Sequence, residues 1–241
     1  MSFFKLVLSA SLLVSLFLPG TSVANDFYNN GDDVIRHYYQ PGNNAASPWN
    51  KKTADEQGIA DYYVCYDKVV NQNAGLYLVV MCPDMEQISY DNQPAPTDYY
   101  VLQQTSQGLK LLFDRQNFGG HFDGVANIGP DKWAVHSIIS SMNQGYGQSH
   151  DLLEVFSEGK FIPVANWTSW MSNEGAFANG ETEEIKNQLT VDESQSTAGF
   201  YALTIHSSGY RQKTKINKKY LISYSEDSGN YLIPEELTDG Y

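Results

Sequence analysis

Apolar and polar residues alternate along most of this chain, in short runs separated by turns that contain glycine. In residues 132–164, an apolar run that starts near Trp133 is followed by a polar crossing, a second apolar run, a turn ending at Gly159 and a third run. Period-two alternation with frequent Tyr, Val, Ile and Phe is typical of β-strands. The pattern predicts antiparallel strands joined by tight turns.

The same pattern recurs elsewhere in the chain. Residues 200–235 follow residues 132–164 closely enough that Trp133 corresponds to Tyr201. A weaker copy occupies residues 75–113, in which the run LYLVVM is the first strand. Self-similarity of this kind indicates a repeated supersecondary unit.

We therefore predict an all-β fold of three related antiparallel four-stranded meander units, preceded by a short N-terminal helix. The units are assigned to residues 59–114, 121–165 and 181–236, within a single β domain that spans 59–241. Such a meander has the form of a propeller blade, but propellers typically need about four blades or more. A β-sandwich built from the same meanders is the equal alternative.

A short helix and a linker are predicted in residues 25–58. Asp32 is a suitable N-cap residue, Val34 begins an apolar face, and Pro41 ends the helix after Gln40. The remainder of this segment is expected to connect the helix to the β domain.

The first 24 residues, 1–24, have the pattern of a signal peptide. Lys5 is followed by an apolar run over residues 6–18, and small residues precede a predicted cleavage between Ala24 and Asn25. The apolar run is shorter than the roughly 20 residues that a spanning helix requires. With no cysteine at the cleavage point, we expect a periplasmic or secreted protein without a lipid anchor or a membrane span.

The two cysteines, Cys65 and Cys82, are predicted to form a disulfide bond. Exported compartments allow disulfides to persist. In a hairpin whose two-residue loop is Asn73-Ala74, the two cysteines directly face each other across the strands. A bond closing a loop of this size is expected to contribute about 3 kcal/mol.

The charge balance and the motifs exclude several classes of function. The chain has 28 acidic and 15 basic residues and a net charge of −13, which disfavours nucleic acid and anionic membranes as partners. The sequence contains neither a nucleophile elbow nor a phosphate-binding glycine loop. We therefore expect no catalytic residues, no metal and no cofactor, and predict that the protein is not an enzyme.

Aromatic residues within polar segments are the candidate binding residues. A flat amphipathic ring provides contact area at small entropic cost, as recognition surfaces require. The alternative is that these rings close the ends of the sheet. The candidates, all expected in loops, are Tyr146, Trp167, Trp170, Phe177 and Tyr210.

Three functional hypotheses follow from these features. The leading one is an exported non-catalytic recognition protein that binds another envelope or secreted protein, such as an inhibitor or immunity protein of a secreted hydrolase. The second is a glycan-binding module that uses the loop tryptophans and Phe177. The third is an envelope hydrolase whose site is assembled in space around His121, Asp123 and His136.

Overall fold

The described part of the chain is almost entirely antiparallel β-structure. The predicted signal peptide and its cleavage between Ala24 and Asn25 lie outside the described residues. Within those residues, no helix has the length and the apolar character needed to cross a membrane. The computed structural model describes residues 27–52, 61–84, 96–177 and 182–240.

The N-terminal half forms a seven-stranded sheet, sheet A, in the order β1-β7-β6-β5-β4-β3-β2. One α-helix, α1, precedes β2. The prediction of an all-β fold with a short N-terminal helix is confirmed. The elements are β1 (Phe27–Tyr28), α1 (Gly31–Tyr38), β2 (Tyr39–Pro41), β3 (Trp49–Lys51), β4 (Asp61–Asn71), β5 (Leu76–Pro83), β6 (Pro96–Thr105) and β7 (Gly108–Gly119).

The C-terminal half forms a second seven-stranded sheet, sheet B, in the order β14-β13-β12-β11-β10-β9-β8. A small β15-β16 pair and a 3-10 helix, Glu235–Leu237, follow it. The strands are β8 (His121–Gly129), β9 (Lys132–Asn143), β10 (Tyr146–Ser157), β11 (Lys160–Ser172), β12 (Glu183–Thr197), β13 (Phe200–Arg211), β14 (Thr214–Ile222), β15 (Tyr224–Ser225) and β16 (Asn230–Tyr231).

The strand order relates the predicted units to the two sheets. Strands β4–β7 form one four-stranded meander and β8–β11 form another, while β12–β14 continue sheet B. The second and third predicted units share one sheet because β11 pairs with β12, as in Trp170 opposite Lys186. The assignment of residues 59–241 to a single domain stays a prediction, and so does its division into three repeats.

Helix α1 has a different N-cap from the predicted one. The side chain of Asn30 accepts a hydrogen bond from the backbone N–H of Asp33 at 3.0 Å. Asp32, the predicted cap, lies in the first turn instead, where a negative charge suits the helix dipole. Val34 and Ile35 are buried against sheet A.

Both faces of sheet A are covered, which explains the apolar run LYLVVM in its central strand. Val79 and Met81 pack into the cluster beneath α1, whereas Leu78 and Val80 pack toward sheet B. Successive side chains of a strand point to opposite faces. A strand buried on both faces is therefore apolar at nearly every position.

The two sheets pack together through an aromatic cluster. Trp133 of β9 and Phe161 of β11 pack with Tyr99 of β6, and Trp133 is only 6% exposed. Beside this cluster, the guanidinium of Arg115 (β7) donates two hydrogen bonds, of 3.1 and 2.9 Å, to the carboxylate of Glu154 (β10). This bidentate pair links sheet A to sheet B.

Sheet B curls so that β8 comes into contact with β12 and β13. Its inner face encloses a core that includes Leu153, Trp167 and Ile205, all fully buried. Tyr231 and Leu237 from the C-terminal segment pack into the same core. The curl places side chains from β8 to β12 around one concave surface.

The predicted Cys65–Cys82 disulfide is present, with a Cα–Cα distance of 5.8 Å. The predicted register is wrong, because Cys82 faces Tyr63 and Cys65 is the unpaired residue of a β-bulge. The predicted Asn73-Ala74 loop is also wrong, since the turn spans residues 72–75. A bulge adds one residue to a strand and redirects its side chain.

Candidate functional site

The candidate site is a cleft of about 640 Å³ on the inner face of sheet B. Five neighbouring strands contribute to its lining, with Asp123 of β8, His136 of β9, Asp151 of β10, Trp170 of β11 and Asn187 of β12. This volume lies in the range of small-molecule pockets, roughly 300–1,000 Å³. The cleft is thus large enough to receive a ligand of the size of one or a few sugar rings.

His136 is held between two carboxylates at the base of this cleft. Its Nδ1 lies 2.9 Å from Oδ2 of Asp123, and its Nε2 lies 2.7 Å from Oδ2 of Asp151. Each ring nitrogen of His136 therefore faces one carboxylate oxygen. Asp151 has only 8% of its side chain exposed, so the imidazole gives a polar partner to a buried carboxylate.

Strand pairing accounts for the position of each member of this triad. His136 on β9 faces Leu153 on β10. Asp151 lies two residues before Leu153 and therefore on the same face of β10. On β8, a bulge leaves both Asp123 and Gly124 opposite His136. The bulge therefore brings the carboxylate of Asp123 beside the imidazole ring.

Trp167 supports the His136 ring from below. The two rings are stacked, with centroids 5.6 Å apart and an interplanar angle of 26°. The indole N–H of Trp167 donates to the backbone carbonyl of Asn187 at 3.4 Å, and the Asn187 side chain donates to the carbonyl of Thr168 at 2.6 Å. Stacked aromatic rings pack favourably, so this contact fixes the plane of the imidazole.

Two buried acceptor atoms belong to side chains that line the cleft. Oδ1 of Asp151 and Oδ1 of Asn187 have no hydrogen-bond donor among the residues that the structure describes. Both atoms are covered from solvent. Buried polar atoms are nearly always hydrogen-bonded in native proteins, and an exception commonly marks a functional position.

Trp170 forms the aromatic part of the cleft lining and is half-buried. Its ring lies against Gly147, where an added Cβ would come within 2.4 Å of the indole. Its N–H donates to Oε1 of Glu184 at 3.5 Å. A hydrogen bond from Lys186, at 2.9 Å, lowers the pKa of Glu184 below its usual range and keeps this carboxylate ionised.

The predicted binding aromatics are mostly strand residues, so the expectation that all of them lie in loops is wrong. Tyr146 begins β10, Trp167 and Trp170 lie in β11, and Tyr210 lies in β13. Phe177 lies outside the strands and meets Tyr146 edge to face, with centroids 6.1 Å apart. Trp167 is fully buried and cannot contact a ligand, whereas Trp170 lines the cleft.

The structure brings together two of the three residues of the hydrolase hypothesis. Asp123 and His136 are in contact, but His121 lies opposite Ile138, farther along β9. Asp151 was missed, because only the pairing of β9 with β10 brings its carboxylate to His136. Among the described residues, no group of three or more His, Cys, Asp or Glu side chains could hold a metal ion.

Comparisons of the chain with family models, curated proteins and solved structures found no match. The functional argument therefore rests on the cleft itself. The cleft combines a histidine held between two carboxylates, an aromatic lining and acceptor atoms within a single concave surface.

Proposed function

We propose that this protein is an exported, non-catalytic recognition protein that binds a hydroxyl-rich ligand, such as part of a glycan, in the cleft of sheet B. One observation carries the proposal: the indole of Trp170 lines the same cleft as the carboxylates of Asp123 and Asp151. A sugar has an apolar ring face, which packs on an aromatic ring, and hydroxyl groups, which donate to carboxylates.

The accessible acceptors of the cleft suit such a ligand. The side chain of Asp123 is 47% exposed, and each of its carboxylate oxygens can accept more than one hydrogen bond. The Asp151 and Asn187 side chains hold further acceptor atoms, which are covered from solvent and have no donor among the described residues. The site therefore favours a ligand that supplies several donors.

The state of His136 supports a binding role over a catalytic one. A general base needs a ring nitrogen with a free lone pair near the proton that it removes. Both ring nitrogens of His136 already face carboxylates, at 2.9 and 2.7 Å. These contacts favour a role in which the ring orients the two carboxylates.

The Cys65–Cys82 disulfide supports the exported part of the proposal, because such bonds form and persist in oxidising compartments. The signal peptide over residues 1–24 and its cleavage stay predictions, and so does the periplasmic or secreted location. Net negative charge continues to disfavour a nucleic-acid partner.

A protein partner is the second candidate, and exposed apolar side chains favour it. Ile139 and Met142 on β9 are 43% and 47% exposed, and Phe177 is 37% exposed. Exposed apolar surface can mark a protein interaction site. The partner would be another envelope or secreted protein, in line with the leading hypothesis from the sequence.

Calorimetric titration with a panel of soluble oligosaccharides, guided by a glycan array, tests the proposal. We expect one class of sugar to bind, Trp170→Ala to abolish binding, and Asp123→Asn to weaken it about tenfold, equivalent to about 1.4 kcal/mol. Asp227→Asn is the matched control, because Asp227 is an exposed carboxylate in the β15–β16 turn.

Two outcomes would overturn the assignment of the cleft. Sugar binding that survives Trp170→Ala would place the ligand elsewhere on the protein. Absence of sugar binding, together with capture of one stoichiometric exported protein that depends on Met142, would establish the protein-partner function instead.

A further inference from the structure

A fully buried ion pair lies in sheet A, far from the cleft in the strand order. Nζ of Lys51 (β3) is 2.7 and 3.0 Å from the two carboxylate oxygens of Asp98 (β6). The side chains of Lys51 and Asp98 are 2% and 0% exposed. Burying two charges is costly even when they are paired, so the arrangement calls for an explanation beyond stability.

Asn117 of β7 completes this cluster. Nζ of Lys51 donates to Oδ1 of Asn117 at 2.8 Å, and the backbone N–H of Asn117 donates to Oδ1 of Asp98 at 2.7 Å. Asn117 has a φ of 57°, in the left-handed region that Asn adopts more readily than most residues other than glycine, and it lies in a β-bulge opposite Asp98.

Aromatic side chains surround the buried part of the cluster. The hydroxyl of Tyr39 donates to Oδ2 of Asp98, and Nζ of Lys51 lies 5.5 Å from the centre of the Tyr62 ring. Tyr39 and Tyr62 are fully buried. Polar interactions are stronger in such a low-dielectric setting than in water.

We propose that Lys51 and Asn117 form an intramolecular amide bond, with Asp98 as the general base. Asp98 takes a proton from the Lys51 ammonium, and the neutral Nζ attacks Cγ of Asn117. The new Nζ–Cγ bond forms, the Cγ–Nδ2 bond breaks, and Asp98 passes protons to the departing nitrogen. An ammonium group and a primary amide thus become a secondary amide and an ammonium ion, and no oxidant or cofactor is required.

The geometry meets the requirements of this reaction. Contact between Nζ and the Asn117 amide makes the attack intramolecular, which removes much of the entropic cost. Asp98 is within hydrogen-bond distance of the proton that it removes. Asn117 itself is exposed, so the released ammonia can leave directly to solvent.

The bond would join strands that are distant in the sheet order. Sheet A places β6, β5 and β4 between β7 and β3, so the contact of Lys51 with Asn117 shows that the sheet curls. A covalent link there would close sheet A around its inner core. Like a disulfide, it would restrict the unfolded chain and slow unfolding of an exported protein.

Intact-mass spectrometry of the reduced protein tests the proposal. We expect wild-type protein to be lighter by one ammonia, relative to an Asn117→Ala variant made in the same way and after correction for the substitution. In a tryptic digest, cleavage after Lys51 should be absent, and a branched peptide should contain both Lys51 and Asn117.

Matched variants separate the reaction from general effects of mutation. Lys51→Arg and Asp98→Asn should abolish the mass loss, whereas Lys110→Arg, on the exposed face of β7, should retain it. The mass of the wild-type protein tests the proposal by itself, without comparison with a variant. If its mass is that of the unlinked chain, or is raised by deamidation of Asn117, the proposal is wrong and the cluster is only an ion pair.

Discussion

The carboxylate of Asp123 lies 2.9 Å from Nδ1 of His136 because Asp123 occupies the extra position of a β-bulge. Two residues of β8, Asp123 and Gly124, therefore oppose a single residue of β9. Bulges are frequent beside functional sites, where they redirect one side chain. At this bulge, His136 receives its second carboxylate.

Replacing His136 should be costly for stability. His136→Gln removes the ring nitrogen that lies 2.7 Å from the buried carboxylate of Asp151, so we expect the free energy of unfolding to fall by about 3 kcal/mol. Asp123→Asn is the control and should cost less than about 1 kcal/mol, since Asp123 is half-exposed. Urea denaturation measures both. Equal losses would mean that burial of Asp151 does not determine the energetics of the triad.

Removing the indole of Trp133 should open a cavity between the sheets. Trp133 is 6% exposed and packs on Phe161, with ring centroids 6.3 Å apart, so Trp133→Ala should cost about 3–5 kcal/mol. Trp170→Ala should cost clearly less, because Trp170 is half-buried at the cleft. Thermal melts compare the two variants. A Trp133 variant that melts like wild type would place this ring outside the core.

The disulfide should stabilise the folded chain measurably. The bond closes a loop with a sequence separation of 17, so its loss in Cys65→Ser should cost about 3 kcal/mol and lower Tm by several degrees. Melts with and without reductant are the measurement. The Cys65→Ser/Cys82→Ser variant should be insensitive to reductant, and an equally insensitive wild type would contradict the prediction.

The sequence pattern predicted the strands and the pairing of the cysteines, but not the details of register. Alternation revealed the strands because each has one or two buried faces, as at Val79 and Val80 of β5. The bulge that carries Cys65 depends on a single unpaired residue, which no composition marks. The bulge at Asp123, which brings its carboxylate to His136 in the candidate site, could not be predicted for the same reason.

The loop assignment of the aromatics failed for a different reason. The neighbours of Trp167 are Asn, Thr and Ser, which favour turns in isolation. In the structure, β11 continues to Ser172 because its backbone pairs with β10, and its last residues also pair with β12. Tertiary pairing overrides local preference in such strands. Asp151 and Asn187 could be joined to the site only by that pairing.

Stability should decline at alkaline pH because of buried tyrosines. Burial raises the pKa of Tyr39, Tyr99 and Tyr100 well above the ordinary value of 10.0, and burial together with a hydrogen bond to Asp67 raises the pKa of Tyr77 to about 12. The unfolded chain releases these protons near pH 10, whereas the folded chain retains them. The contribution of these tyrosines to the free energy of unfolding should therefore be constant below about pH 10 and fall above it.

Tyr99→Phe is the sharpest test of this pH dependence. The Tyr99 hydroxyl has no hydrogen-bond partner among the described residues, so its removal should cost little at neutral pH. Above about pH 10, the variant should lose stability less steeply than wild type, by about 1.4 kcal/mol per pH unit. Urea denaturation at a series of pH values, with tyrosinate absorbance as a second signal, gives both slopes. Identical slopes would show that Tyr99 ionises equally in the folded and unfolded chains.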